Sequence, residues 1–275
     1  MTTNLLRYGR KLQLFLRLPY KIPNTTSQIK SSGNTLLSFQ ELQNTTMARR
    51  FIHVFSWLLV ILLAASEGTQ AVEYTVTNTA LATPGGVAFR DKVGAAYAKQ
   101  TMDSATQFIW RTFQQQNSPA DRKNVQKVSL FVEEKDGVAY AINNEIHLSS
   151  RYVGNYNGDV RREVTGVLYH EMTHIWQWNG NGRANGGLIE GIADYVRLKA
   201  GYAPSHWVKP GQGDKWDHGY DVTAYFLDYC NSLRNGFVAE LNKKMRTGYS
   251  DDYFRQILGK PVDQLWRDYK AKYGN

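Results

Sequence analysis

The chain reads as an α+β protein in which a small mixed sheet packs on a mainly helical bundle. Three observations point there. From about Asp159 onward, apolar residues recur at helical spacing almost to the C-terminus. Strand-like alternation is confined to short stretches between residues 73 and 149. Residues 72–275, about 204 in number, suffice for one sizeable core, and no Pro- or Ser-rich linker divides them.

The elements follow in order. Residues 73–84 are expected to be extended, with Gly85-Gly86 breaking the strand. Residues 87–115 are expected to form one long helix. It carries Phe89, Val93, Ala96 and Tyr97, then Phe108, Ile109, Trp110 and Phe113, and ends at Asn117-Ser118-Pro119. Val128, Leu130 and Val132 alternate with Ser129, Phe131 and Glu133 and predict a strand. Lys135-Asp136-Gly137 reads as a hairpin turn after it. Two short strands, residues 138–142 and 145–149, are split by Asn143-Asn144. If the strand around residues 141–148 lies at the sheet edge, its free N–H and C=O groups could pair with an extended peptide. Helices are then expected over residues 160–178, 189–199, 222–233, 237–245 and 261–272, with no internal repeat.

The first quarter has a different character. Residues 1–46 hold six basic residues against Glu41 and are rich in Ser, Thr and Asn, which reads as a leader extension absent from the mature protein. Met47 opens a secretory signal over residues 47–71. Arg49 and Arg50 supply the charge, residues 51–65 are uncharged, and Thr69-Gln70-Ala71 offers small residues for cleavage. The apolar run is short for a membrane span, so no stable membrane insertion is expected after cleavage before Val72. An uncleaved anchor with a cytoplasmic tail is the competing reading.

Residues 1–71 hold eight Lys/Arg and two Glu, so only +3 of the chain's +9 belongs to residues 72–275. That charge does not call for nucleic acid, and no nucleic-acid-binding motif is visible, although association with acidic cell-wall polymers is compatible with it. Cys230, the one cysteine, excludes an internal disulfide, and its apolar helical setting predicts a buried, inert thiol.

The chemistry concentrates in His170-Glu171-Met172-Thr173-His174 and Glu190-Gly191-Ile192-Ala193-Asp194. Residues four apart share a helix face, so His170 and His174 can aim two imidazoles at one metal ion. Glu190 supplies a third ligand, and the set predicts a Zn²⁺ site with one position open to water. Glu171 is placed to act as general base, and Asp194 to orient His170 through its other ring nitrogen. Glu190 and Asp194 border the apolar stripe Ile189, Ile192, Ala193, Val196, where two carboxylates need compensation. The bland alternative is a salt-bridged face of Glu190, Asp194 and Arg197. A metzincin arrangement fails, because its third histidine would fall at Gly180. Asn179-Gly180-Asn181-Gly182 ends the first helix so that the chain doubles back. Tyr195, His218, Tyr220 and Tyr225 are candidate oxyanion donors, with Tyr220 favoured because it follows a Gly at a helix entry. Trp176 and Trp178 read as core or cleft wall, and Gln177 as a partner of His174 or of the following loop.

The runs from His170 to Gly180 and from Gly187 to Arg197, with Tyr220 to Cys230, closely resemble the plant basic secretory proteins. The similarity extends over essentially all of residues 72–275. It implies a zincin-like, gluzincin-type peptidase domain with His170, His174 and Glu190 as ligands and Glu171 as base. It also implies an extracellular, apoplastic defence role. Residues 1–46 depart from the family pattern, in which the signal comes first.

Two functions are therefore expected to compete. One is a secreted zinc peptidase, acting as a monomer on peptide or protein substrates. The other is a non-catalytic defence protein that keeps the metal site and binds a cell-wall or pathogen component. Glu171 favours the first, since a purely structural zinc site has no use for it.

Overall fold

The computed structural model describes residues 71–274. The expected leader, residues 1–46, and the apolar signal run, residues 51–65, lie outside the described residues. Strand β1, Glu73–Asn78, leads into helix α1, Pro84–Lys92, and helix α2, Ala95–Thr112. The single helix expected over residues 87–115 is thus two. Val93 and Gly94 both donate their N–H to Phe89 O, and Gly94 sits at φ 76°. This is a glycine-closed helix end inside an unbroken apolar pattern.

Strand β2, Lys127–Glu133, follows, then β3, Ala139–Ile142, and β4, Glu145–Ser149. The sheet order is β1-β2-β4-β3, with β1–β2 and β2–β4 parallel and β3–β4 antiparallel. Lys135-Asp136-Gly137 is therefore no hairpin turn, because the strands on either side of it do not pair. Among the described residues the hairpin is β3–β4. Asn143 and Asn144 make its turn at φ 51° and 62°, a left-handed pair suited to the twist of the strands. The edge strands are β1 and β3, so on this side of the sheet the free edge belongs to residues 139–142 and not to β4.

Helix α3, Ser150–Asn155, missed by periodicity because it is so short, leads to α4, Val160–Trp176. Fourteen of the 17 residues of α4 are buried, because it lies among α2, β3 and the next helix, α5, Gly186–Lys199. Helix α6, Tyr220–Leu233, packs along α5. Helices α7, Phe237–Lys244, α8, Asp252–Leu258, and α9, Val262–Tyr273, close the far side. Of these, α8 is a second short helix that periodicity missed.

The core is continuous from sheet to bundle. Val128, Leu130, Val132, Ile146 and Leu148 on one sheet face join Met102, Ile109, Leu168 and Met172, and beyond them Phe226, Phe237 and Phe254. Cys230 is fully buried in this core, and burial pushes its thiol well above the usual range, as an inert thiol requires. No helix among the described residues is long and apolar enough to cross a membrane.

Candidate metal centre

Helix α4 carries His170, Glu171 and His174, and α5 carries Glu190 and Asp194. Between the helices, Gly180, Asn181 and Gly182 take φ of 67°, 56° and 76° and reverse the chain. Asn185 then caps α5 by accepting from Leu188 N–H at 2.6 Å. Gly191, within the Glu-x-x-x-Asp run, lets α5 and α6 close on each other. A Cβ there would lie 2.2 Å from Thr223 Cγ2.

The three expected ligand atoms converge. His170 Nε2 lies 3.1 Å from His174 Nε2 and 3.1 Å from Glu190 Oε2, and His174 Nε2 lies 3.4 Å from Glu190 Oε2. Donors about 2.0–2.1 Å from a tetrahedral zinc stand about 3.3 Å apart. The observed triangle has that size. Among the described residues this trio is the group that could hold a metal ion, and its His₂Glu chemistry suits one.

The surroundings orient the imidazoles. Asp194 Oδ1 lies 2.6 Å from His170 Nδ1 and is only an acceptor when ionised. In the neutral ring the proton therefore sits on Nδ1, so a metal that displaces the Nε2 proton would meet the Nε2 lone pair. Burial alone would lower the His170 pKa, but hydrogen bonds to Asp194 and Glu190 outweigh it and raise it. Burial would raise the Glu190 carboxyl, but hydrogen bonds from both histidines hold it well below the usual range.

Gln177 Nε2 lies 2.7 Å from His174 Nδ1, as one expected role has it, and donates at 3.2 Å to Ile189 O, which belongs to helix α5 and not to the following loop. Its Oε1 is buried without a partner. A half-turn of the amide would bring that oxygen to a protonated Nδ1.

Glu171 stands beside the trio, 5% exposed, with Oε2 buried and unpaired. Burial raises its pKa, while the two histidines pull the other way. An orphaned carboxylate oxygen in such a place is costly unless a ligand meets it.

Tyr220 is 55% exposed, and its ring stacks 6.1 Å from that of His170. At φ 45°, just after Gly219 at φ 105°, it holds a backbone conformation that bulky residues rarely adopt. Burial and the neighbouring Glu190, Asp194 and Glu171 raise its phenol pKa, so it stays a donor.

A cleft of about 970 Å³ runs over α4 with the trio in its floor. Tyr220 lines it. The other three oxyanion candidates, Tyr195, His218 and Tyr225, do not. Tyr195 is buried, and Tyr225 packs edge-on to Trp207. Trp176 is core, edge-on to Trp110, and Trp178 is half-buried with its N–H on Asp121 O.

Sequence reasoning missed several lining residues. Ala139, Tyr140 and Ala141 of β3 form one wall. Tyr152, Glu163, Arg197, His206 and Trp207 lie at one end, and Lys123 and Asn179 at the other. Arg197 pairs with Glu163 at 3.0 Å and not with Glu190 or Asp194, which removes the bland salt-bridged-face alternative. Burial lowers the Lys123 ammonium to about 8. Lys123 lies in a loop with no periodic signal. A Tyr or Trp in an aromatic-rich chain carries none either.

The model of a family described as "Peptidase of plants and bacteria" matches residues 69–269 of the chain. A "Basic secretory protease" from Boswellia serrata is 52% identical over 60 residues, which is 22% of this chain and 69% of that protein. No solved structure matches the chain.

Proposed function

The chain belongs to the basic secretory protein family of plant and bacterial peptidases, and from that premise we propose that it is a secreted, zinc-dependent peptidase of zincin-like, gluzincin type. The observation that carries this reading is the 3.1, 3.1 and 3.4 Å triangle of His170, His174 and Glu190 beside the unpaired Glu171 Oε2. Zinc held by these three side chains would act as a Lewis acid, polarising the scissile carbonyl and acidifying a water next to it. His170 and His174 present Nε2, and Asp194 keeps the His170 proton on Nδ1. Glu171 Oε2 takes the water's proton and passes it to the leaving nitrogen. The Tyr220 O–H donates to the oxyanion that develops on the carbonyl. The free edge of β3 holds the peptide extended along the cleft through main-chain hydrogen bonds.

Secretion through the signal at residues 47–71, and defence in the apoplast, belong to the same reading. The name of the Boswellia relative supports the first. The test is Glu171→Gln, which preserves shape and removes the base. Hydrolysis of a peptide library should fall about 10²–10⁴-fold while metal content is unchanged. If the wild type with full metal cleaves nothing, the non-catalytic binding protein replaces the peptidase.

A further inference from the structure

We propose that Lys123 is a substrate-binding cation that holds a carboxylate of the bound peptide at the His174 end of the cleft. The carboxylate could come from an acidic side chain or from the peptide's C-terminus. The proposal deepens the peptidase reading and rests on its peptide-binding cleft.

The cleft's two ends differ in how their charges are used. At one end Arg197 gives its guanidinium to Glu163 at 3.0 Å and its Nε–H to Tyr202 O at 3.0 Å, and Tyr152 O–H also donates to Glu163. That end is neutralised from within. At the other end Lys123 Nζ reaches His174 O at 3.4 Å and lies 5.9 Å from the centre of the Trp178 ring. Among the described residues no carboxylate comes within ion-pair distance of it. Asp121, two residues earlier, pairs instead with Lys243 at 3.2 Å and Arg246 at 3.5 Å.

Lys123 is thus a cation without a carboxylate partner in a cleft whose lining also includes Glu171, Glu190, Asp194 and Asp221. An ammonium has three donors, and the hydrogen bond to His174 O uses one. The remaining two are held at a fixed place relative to the metal trio, because His174 itself supplies the anchoring carbonyl. A half-buried ammonium gains most from a charge-assisted hydrogen bond to a carboxylate, and a peptide lying along the cleft can bring one. The competing role is structural. His174 O is one of the last-turn carbonyls of α4, and Lys123 could serve simply as its cap.

The experiment measures binding of fluorescent decapeptides to the metal-loaded Glu171→Gln protein, with and without Lys123→Met or Lys123→Arg. One series moves a single Glu through an Ala-rich peptide, and a second compares free and amidated C-termini. In one register, or for the free C-terminus alone, the acidic peptide should bind about tenfold or more tighter than its neutral counterpart. Lys123→Met should abolish that preference and Lys123→Arg should keep it. Binding of neutral peptides and the melting temperature should stay unchanged in both. Equal binding of acidic and neutral peptides, or a preference that survives Lys123→Met, overturns the proposal. So does a loss of neutral-peptide binding in parallel with the acidic one, which is the mark of a cap. Cleavage by the wild type without acidic preference sinks Lys123 and leaves the peptidase. A Lys123-dependent preference without cleavage sinks the peptidase and leaves Lys123.

Discussion

Asp194 touches no expected substrate atom, yet its 2.6 Å contact decides which nitrogen of His170 carries the proton. Asp194→Asn can still fill the space but accepts more weakly and can present an N–H instead. Metal affinity should fall about 10–100-fold, read by competition with a chromogenic chelator. Unchanged affinity would reduce Asp194 to a packing partner. The same scale explains why this part of the site was legible in the sequence. Spacings of four on a helix put His170 with His174, and Glu190 with Asp194, whatever the rest of the chain does. Lys123 and Arg197 were not legible as cleft residues, since their places depend on how a loop and two helices meet. Cys230 carries its own prediction. With the thiol buried and its pKa raised, a thiol reagent should label it only after denaturant is added. Rapid labelling of the native protein would mean the core around α6 opens readily.

At the scale of elements, the site depends on how closely three helices stack. Gly191 meets Thr223 with no room for a side chain, so Gly191→Val should wedge α5 from α6. The expected cost is about 1–3 kcal/mol of stability. Metal affinity should fall with it, because Glu190 and Asp194 flank the displaced residue. Melting curves and chelator competition would check both, and a variant as stable as the wild type would show that the helices can separate without penalty. Element errors from sequence have physical causes too. The apolar pattern of residues 87–115 runs straight through Gly94, because a helix can end and restart without changing which face is buried. The assumed hairpin at Lys135–Gly137 failed because strand pairing is a long-range choice. A turn signal says that the chain bends, not what it returns to. The break at Asn143-Asn144 was legible, since Asn accepts the left-handed conformation, but not that the strands on either side of it pair as a hairpin.

At the scale of the whole molecule, the α+β class followed from periodicity alone, and the placing of α4 at the centre did not. With a single cysteine, no disulfide within the chain contributes to stability. A thiol reductant should therefore leave the melting temperature where it is. A strong chelator should lower it, since metal bound only by the folded state adds its binding energy to folding. No shift on chelation would argue against a bound metal.

Strand β1 adds a consequence in time. Its partner in the sheet is β2, and Thr75 meets Ser129 across 54 positions of chain. Domains grow from the N-terminus during synthesis. Strand β1 must therefore wait for β2 while two helices are made. Long-range parallel pairing of this kind is slow to form and leaves an adhesive backbone edge exposed meanwhile. Refolding in the test tube should show a slow phase that tracks β1–β2 docking. In the cell, the same interval is when the nascent chain most needs a chaperone's cover.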